Sequence, residues 1–153
     1  MEHGMKAMEL FLEGYNCAQA VAVAFCDLTG LDEKTTAKMV SPFGGGMGRL
    51  REVCGAVSGM FFVLGQLYGY DNADADETKK ELYARVQDLA AQFKERCGSI
   101  LCRDLLDNPP TDPNPSPRTA QYYKDRPCAL LVKTAADLMD AFIAQHPLEE
   151  HHG

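Results

Sequence analysis

The chain has 153 residues, 46% hydrophobic and 24% charged, the make-up of one ordinary globular domain with enough apolar material to bury a core. Its net charge of −7 and the lack of any Lys/Arg run argue against a nucleic-acid surface, since phosphate binding needs clustered cations. The most apolar stretch, Val53 to Tyr68, is too short to span a bilayer and carries Gly55, Gly59, Gly65 and Gln66, so no membrane partner is expected either.

The opening MEHGMKAMELF lacks a basic region followed by an apolar stretch and a small-residue cleavage site; no secretory signal is expected, and the expected location is the cytoplasm. Met8, Phe11 and Leu12 recur at helical spacing, and Gly14 is placed to end a helix over Met5 to Glu13. Asn16 with Gln19 three residues later reads as a cap and its capping-box partner, opening a helix from Cys17 to about Asp27 that stops at Thr29 and Gly30. Asp32 caps a third helix through Val40. Pro42 and Gly44, Gly45 and Gly46 then leave a loop whose backbone reaches conformations closed to other residues and can approach a bound group closely. A fourth helix is expected from Arg51 or Glu52 to Tyr68. In it the pairs Gly55/Gly59 and Gly65/Gly69 each give a smooth face for a neighbour.

Asp74 or Asp76 is the expected cap of an amphipathic helix with acids in its first turn, a Leu82-Val86-Leu89-Phe93 stripe, and Lys94, Arg96 and Gly98 at its end. Ser99 reads as the cap of a short helix through Leu106. The segment from Asp107 to Thr119 holds five prolines and is read as a long excursion, either mobile or lying across the site. The last helix starts with Pro127 in its first turn and runs to about Gln145. No alternating run is long enough for a strand. The expected fold is all-α: a compact single-domain bundle of about six helices over residues 1–146, with the proline-rich loop before the last helix and a tail over 147–153. His3, His146, His151 and His152 lie at the ends and are expected to be solvated, with none a ligand.

Six cysteines without an export signal point away from structural disulfides and toward metal binding or redox chemistry, against the plain alternative of small buried core residues. On the helix map they divide. Cys17 follows the cap Asn16, Cys54 lies near the first turn after the glycine loop, Cys102 follows Ser99 by three residues, and Cys128 follows Pro127. At such positions unpaired amides and the positive end of the helix dipole favour thiolate, the form that ligates metal or attacks a disulfide. Cys26 and Cys97 are expected in the last turns of their helices, where the dipole disfavours charge, and Cys97 continues an apolar stripe. There is no C-x-x-C, so tertiary structure must gather the four helix starts.

GYNCAQAV, GGGMGRLREVCGAVSG, CGSILCRDLL and RPCALLVKTAADL, in that order over roughly residues 8 to 140, resemble the C-GCAxxG-C-C family of redox-active proteins. The order here is Cys54-Gly55 where the signature has Gly-Cys, with Ala56 and Gly59 in register with its A-x-x-G. Carried over by position, the family's cysteines fall on Cys17, Cys54, Cys102 and Cys128. The resemblance implies a helical domain with a redox-active thiol set or a metal centre. Related domains that look to be fused to multihaem cytochromes imply electron transfer.

Three functions compete. The four cysteines could ligate an iron-sulfur cluster or a zinc ion. Two of them could cycle as thiol and disulfide in an electron carrier or oxidoreductase component, with Cys17 or Cys54 expected to alkylate fastest. Or the chain is a non-catalytic helical interaction module whose cysteines merely pack. The expected partner is an unidentified redox protein, and a homodimer is open. The glycine loop lacks the P-loop pattern, and Arg49 and Arg51 are read as exposed basic residues at a loop end. No Ser-His-Asp grouping, H-E-x-x-H or dinucleotide fingerprint is present.

Overall fold

The structure, a computed structural model, describes residues 2–107 and 109–148, without the side chain of Asp125. Most of the expected tail, with His151 and His152, lies outside the described residues. The fold is all-α. Helices of eight residues or more are α1 (Glu2–Leu12), α2 (Cys17–Ala24), α4 (Glu33–Val40), α6 (Gly55–Tyr68), α7 (Asp76–Cys97) and α10 (Cys128–Gln145); shorter turns are α3 (Cys26–Thr29), α5 (Gly44–Met47), α8 (Cys102–Leu105) and α9 (Ala120–Asp125). No helix among the described residues is long and apolar enough to cross a membrane.

At the centre is α2, whose Ala18, Ala20, Val21, Ala22, Val23 and Ala24 are all buried. A helix apolar on every side must be covered on every side, and α1, α4, α6 and α10 surround it. Its start is set locally: Asn16 Oδ1 accepts from the Gln19 amide at 2.9 Å, and Gln19 Oε1 accepts from the Asn16 amide at 3.0 Å. Small residues let α6 come in tightly. A Cβ on Gly59 would stand 2.7 Å from the Ala18 carbonyl oxygen, and one on Gly55 3.0 Å from Cys17 Cβ. The second glycine pair does not serve this way, since a Cβ on Gly65 would meet nothing within 4 Å and Gly69 simply ends the helix. Phe11, Phe25, Met60, Leu64, Leu89, Phe93, Leu138 and Met139 fill the core, at about 1.5–3 kcal/mol of burial each.

Several expected boundaries move. The helix opened at Cys17 breaks at Phe25 (φ −99°, ψ 11°), so Cys26 starts a fresh turn instead of ending one. Ala75, not Asp74 or Asp76, stands at the cap of α7 and makes no side-chain capping bond. That helix shows its apolar stripe to the core through Leu89 and Phe93 and ends at left-handed Gly98. Residues 51–54 are not helical: the fourth long helix begins at Gly55, not at Arg51 or Glu52. The reason is a pairing across the chain. Cys54 donates to the Ile100 carbonyl at 2.7 Å and Cys102 to the Glu52 carbonyl at 2.7 Å, around an antiparallel bridge between Val53 and Leu101. The same pairing holds Leu101 extended, so α8 starts at Cys102 and Ser99 is not its cap; Ser99 Oγ instead accepts from the Leu101 amide and donates to Asp104.

A one-and-a-half-turn helix, α9, separates the proline-rich segment from α10. Thr119 caps it by accepting from the Tyr122 amide at 3.1 Å. Pro127 sits at the cap of α10 instead of inside its first turn. His3 is not solvated either. Its ring stacks on Phe25 at 4.2 Å, with Nδ1 at 2.6 Å from Asp140 and Nε2 at 2.9 Å from Asp27, tying α1 to α10 and α3. His146 stacks on Phe142 and hydrogen-bonds its carbonyl.

A cavity lined by thiols and arginines

Cys17, Cys54, Cys102 and Cys128 all line one cavity of about 60 Å³. Each arrives there from the start of a helix: Cys17, Cys102 and Cys128 are the first residues of α2, α8 and α10, and Cys54 is the cap of α6. The bridge between residues 51–54 and 100–103 brings Cys54 and Cys102 together, and the close seating of Gly55 on Cys17 brings α2 to them. Cys26 and Cys97 are elsewhere. Cys26 donates from Sγ to Thr36 Oγ1 at 3.5 Å in the interior, and Cys97 ends α7.

The glycine loop forms one wall. Gly45 and Gly46 both have φ +68°, and a Cβ on Gly46 would stand 2.6 Å from Cys102 Cβ and 2.8 Å from Arg51 Cα. Only a residue without a side chain lets that backbone turn this tightly beside Cys102. Met47, Arg49 and Arg51 also have positive φ, from +62° to +71°, which is costly for residues with a Cβ. At Arg51 the strain points the side chain inward. It is 3% exposed, contrary to its reading as an exposed loop-end residue, and its Nε donates to the Pro110 carbonyl at 2.9 Å and its Nη1 to Cys102 Sγ at 3.5 Å. Arg49 donates to the Asp112 carbonyl and to Ser116 Oγ, so both arginines hold the proline-rich segment against the loop.

Two further guanidinium groups reach the cavity, those of Arg118 and Arg126. Arg118 donates to the carbonyls of Phe11 and Tyr15 at 3.0 Å and lies 4.5 Å from the Phe11 ring centre, closing the end of α1. Arg126 lies over the Tyr122 ring at 5.1 Å. Among the described side chains, none of Arg51, Arg118 and Arg126 is in an ion pair with a carboxylate; the arginine ion pairs are those of Arg49, Arg85 and Arg103.

The thiols respond to these surroundings in different directions. Cys17 and Cys128 share a hydrogen bond. That bond, then burial, then the nearby thiols push Cys17 well above the ordinary thiol range. Cys128 is pulled below it by the same bond and by Arg126, Arg118 and Arg51, against its burial. Of the two, Cys128 is therefore the thiol that gives up its proton more readily and Cys17 the one that keeps it. Cys54 is pushed up to about 12 by burial, although the amides of Ala56 and Val57 favour its charged form. These shifts point away from Cys17 and Cys54, the thiols expected to alkylate fastest, and toward Cys128 as the favoured thiolate. Its partners lie on other segments, and the sequence signal for them was only that Arg118 and Arg126 flank a cysteine-bearing helix start.

Among the described residues, no group of three or more His, Cys, Asp or Glu stands where it could hold a metal ion. The four thiols share the cavity wall with Arg51, Arg118 and Arg126 without forming a ligand set.

Residues 15–142 match the family described as "Putative redox-active protein (C_GCAxxG_C_C)". Comparisons with curated proteins and with solved structures found no match to either.

Proposed function

As the chain belongs to the C-GCAxxG-C-C family of redox-active proteins, we propose that Cys17 and Cys128 are its working dithiol, cycling with a disulfide to carry electrons for a redox partner. What supports this reading is that Cys17 and Cys128 line one cavity from helix starts and that their mutual influence shifts them in opposite directions, Cys128 toward the thiolate and Cys17 away from it. Disulfide exchange needs one thiolate to attack and a second thiol close enough to resolve the mixed disulfide. Cys128 suits the first role, because guanidinium groups stabilise its charge inside a half-closed cavity. Cys17 suits the second, because it stays protonated until the attack removes the charge beside it.

The step balances without any bound group. The Cys128 thiolate attacks a disulfide R–S–S–R, forming Cys128–S–S–R and releasing RS⁻. Cys17 then attacks Cys128 Sγ, its proton leaves with the second RS⁻, and the Cys17–Cys128 disulfide carries the two electrons' worth of oxidation. Reduction by a partner dithiol reverses both steps. On this reading Cys54 and Cys102 keep the cavity compact and take no part in exchange.

Protein prepared without oxygen, mildly oxidised and then mapped by peptide mass spectrometry is expected to contain one Cys17–Cys128 disulfide, and iodoacetamide at neutral pH is expected to label Cys128 first in the reduced form. Slow, equal labelling of all six thiols would remove the reading. Near-stoichiometric zinc, or iron with sulfide, in the same preparation would replace it with a metal centre on the four cavity cysteines. Serine replacements without effect on any redox readout would leave a packing role and an interaction module.

A further inference from the structure

The cavity adjoins a recess of about 210 Å³, and the two share Asn16, Gly45, Arg51, Arg118, Tyr122 and Arg126 in their walls. Among the described residues, no acid lines either space. In a chain of net charge −7 this is a local reversal of sign. Arg49, at the rim, is balanced by Asp112 with a nitrogen to oxygen distance of 3.7 Å, but the three arginines common to both spaces have no carboxylate partner among the described side chains. Among the described side chains, these guanidinium charges therefore have no carboxylate counter-charge in the walls they share.

The second observation concerns Arg51 alone. It is buried, its Nε and Nη1 have partners, and its Nη2 has none among the described residues. A buried guanidinium nitrogen with both hydrogens unused is expensive to keep, and such groups are normally satisfied by something. Burial of the charge and its strained backbone are both sustained by the glycine loop, so the position is built, not incidental. Guanidinium hydrogens suit carboxylate and other oxyanions by geometry as well as by charge.

We propose that the recess binds the anionic end of a small organic disulfide, seating an oxyanion group on Arg51 Nη2 with Arg118 and Arg126 around it, so that the sulfur-sulfur bond is presented to Cys128. This names the substrate class for the dithiol reading above and rests on it for the chemistry, while the anion binding stands by itself. The exchange is that written above, with R bearing the negative group and both halves released as the free thiol or thiolate. The fixed positive charge raises the local concentration of such a substrate and rejects cationic ones.

The test compares oxidation rates of the anaerobic, fully reduced protein by three disulfides of similar size: dithiodiacetate (dianionic), bis(2-hydroxyethyl) disulfide (neutral) and cystamine (dicationic). The rate ratio of dianion to neutral in the same protein, corrected for their ratio with a free thiol, cancels any change in thiolate fraction. It is expected to reach about tenfold or more at low ionic strength and to shrink with added salt, with cystamine slowest. Arg126→Gln and Arg51→Gln are each expected to cut that ratio severalfold. Since Arg51→Gln also removes a bond to the proline-rich segment and can impair folding, Arg126→Gln is the deciding variant. Adipate, which replaces the sulfur pair by two methylenes and cannot react, is expected to slow oxidation by the neutral disulfide in a saturable way. Equal corrected rates for the three disulfides and no protection by adipate would overturn the anion site while leaving the dithiol intact. Saturable adipate binding in a protein that forms no Cys17–Cys128 disulfide would keep the site and sink the chemistry.

Discussion

Cys54 and Cys128 line the same cavity from two different helix starts, and their surroundings push them in opposite directions. Cys54 has the arrangement usually invoked for a reactive cysteine, a helix cap with the amides of Ala56 and Val57 turned to its sulfur, yet burial pushes it up to about 12. Cys128 is also buried, but a hydrogen bond from Cys17 and the charges of Arg126, Arg118 and Arg51 pull it down. The difference teaches that backbone amides and a helix dipole, equivalent to about half a charge, do not offset desolvation of a thiolate. Full cations and a donor thiol do.

The comparison breaks most sharply at the sulfurs themselves. Cys17→Ser and Cys128→Ser are each expected to reduce oxidation by a small disulfide to the background rate of the remaining thiols, whereas Cys54→Ser is expected to retain the Cys17–Cys128 crosslink in a mass-spectrometric map. A crosslink that forms at normal rate without Cys128 would reverse the assignment. Next in size is the backbone that shapes the wall between them. Gly46→Ala places a Cβ at φ +68° against Cys102 and is expected to destabilise the fold by about 1–3 kcal/mol in a denaturant titration and to disturb alkylation of the cavity thiols. Gly59→Ala, which presses on α2 away from the cavity, carries a similar expected loss of about 1–3 kcal/mol with alkylation rates unchanged.

A finer test uses pH. Arg126→Ala is expected to move the alkylation profile of Cys128 upward, because it removes a cation that favours the thiolate. The Cys54 profile should stay where burial puts it, near pH 12. Parallel movement of both would mean that the arginine acts on the cavity generally. The smallest effect lies far from the thiols and calibrates the rest. Asp32 caps α4 through the Thr35 amide and hydroxyl, which hold its carboxyl below the usual range. Its contribution to stability is present above the ordinary carboxyl pKa and fades as pH falls through the lowered folded value. The Tm gap between the parent and Asp32→Ala is therefore expected to close on acidification, without change in thiol labelling.

Much of the fold was legible because its signals are local. Asn16 and Gln19, Asp32, and Gly30 and Gly98 each make the bonds or the left-handed turns their types predict, within a few residues of themselves. The apolar stripe of α7 and the Gly55/Gly59 face were readable from periodicity alone. Where the reading slipped, the cause was distant in the chain. The bridge of Val53 to Leu101 keeps residues 51–54 out of a helix and delays α6 and α8, and two short paired segments leave no alternating pattern to recognise. His3 looked like a solvated terminal residue because its partners Asp27 and Asp140 lie 24 and 137 positions away.

The same division applies to the candidate site. From the amino-acid order alone came the all-α class, the family resemblance, and the four cysteines that start helices, because caps, glycines and motif order are properties of neighbouring residues. Which thiol leans toward the thiolate depends on the folded chain. That depends on Cys17 meeting Cys128, on Arg51 turning inward at a strained backbone, and on Arg118 and Arg126 closing over them. Electrostatic energies inside a protein are governed by distance through space and by the exclusion of water, and neither quantity is written in the spacing of residues along the chain.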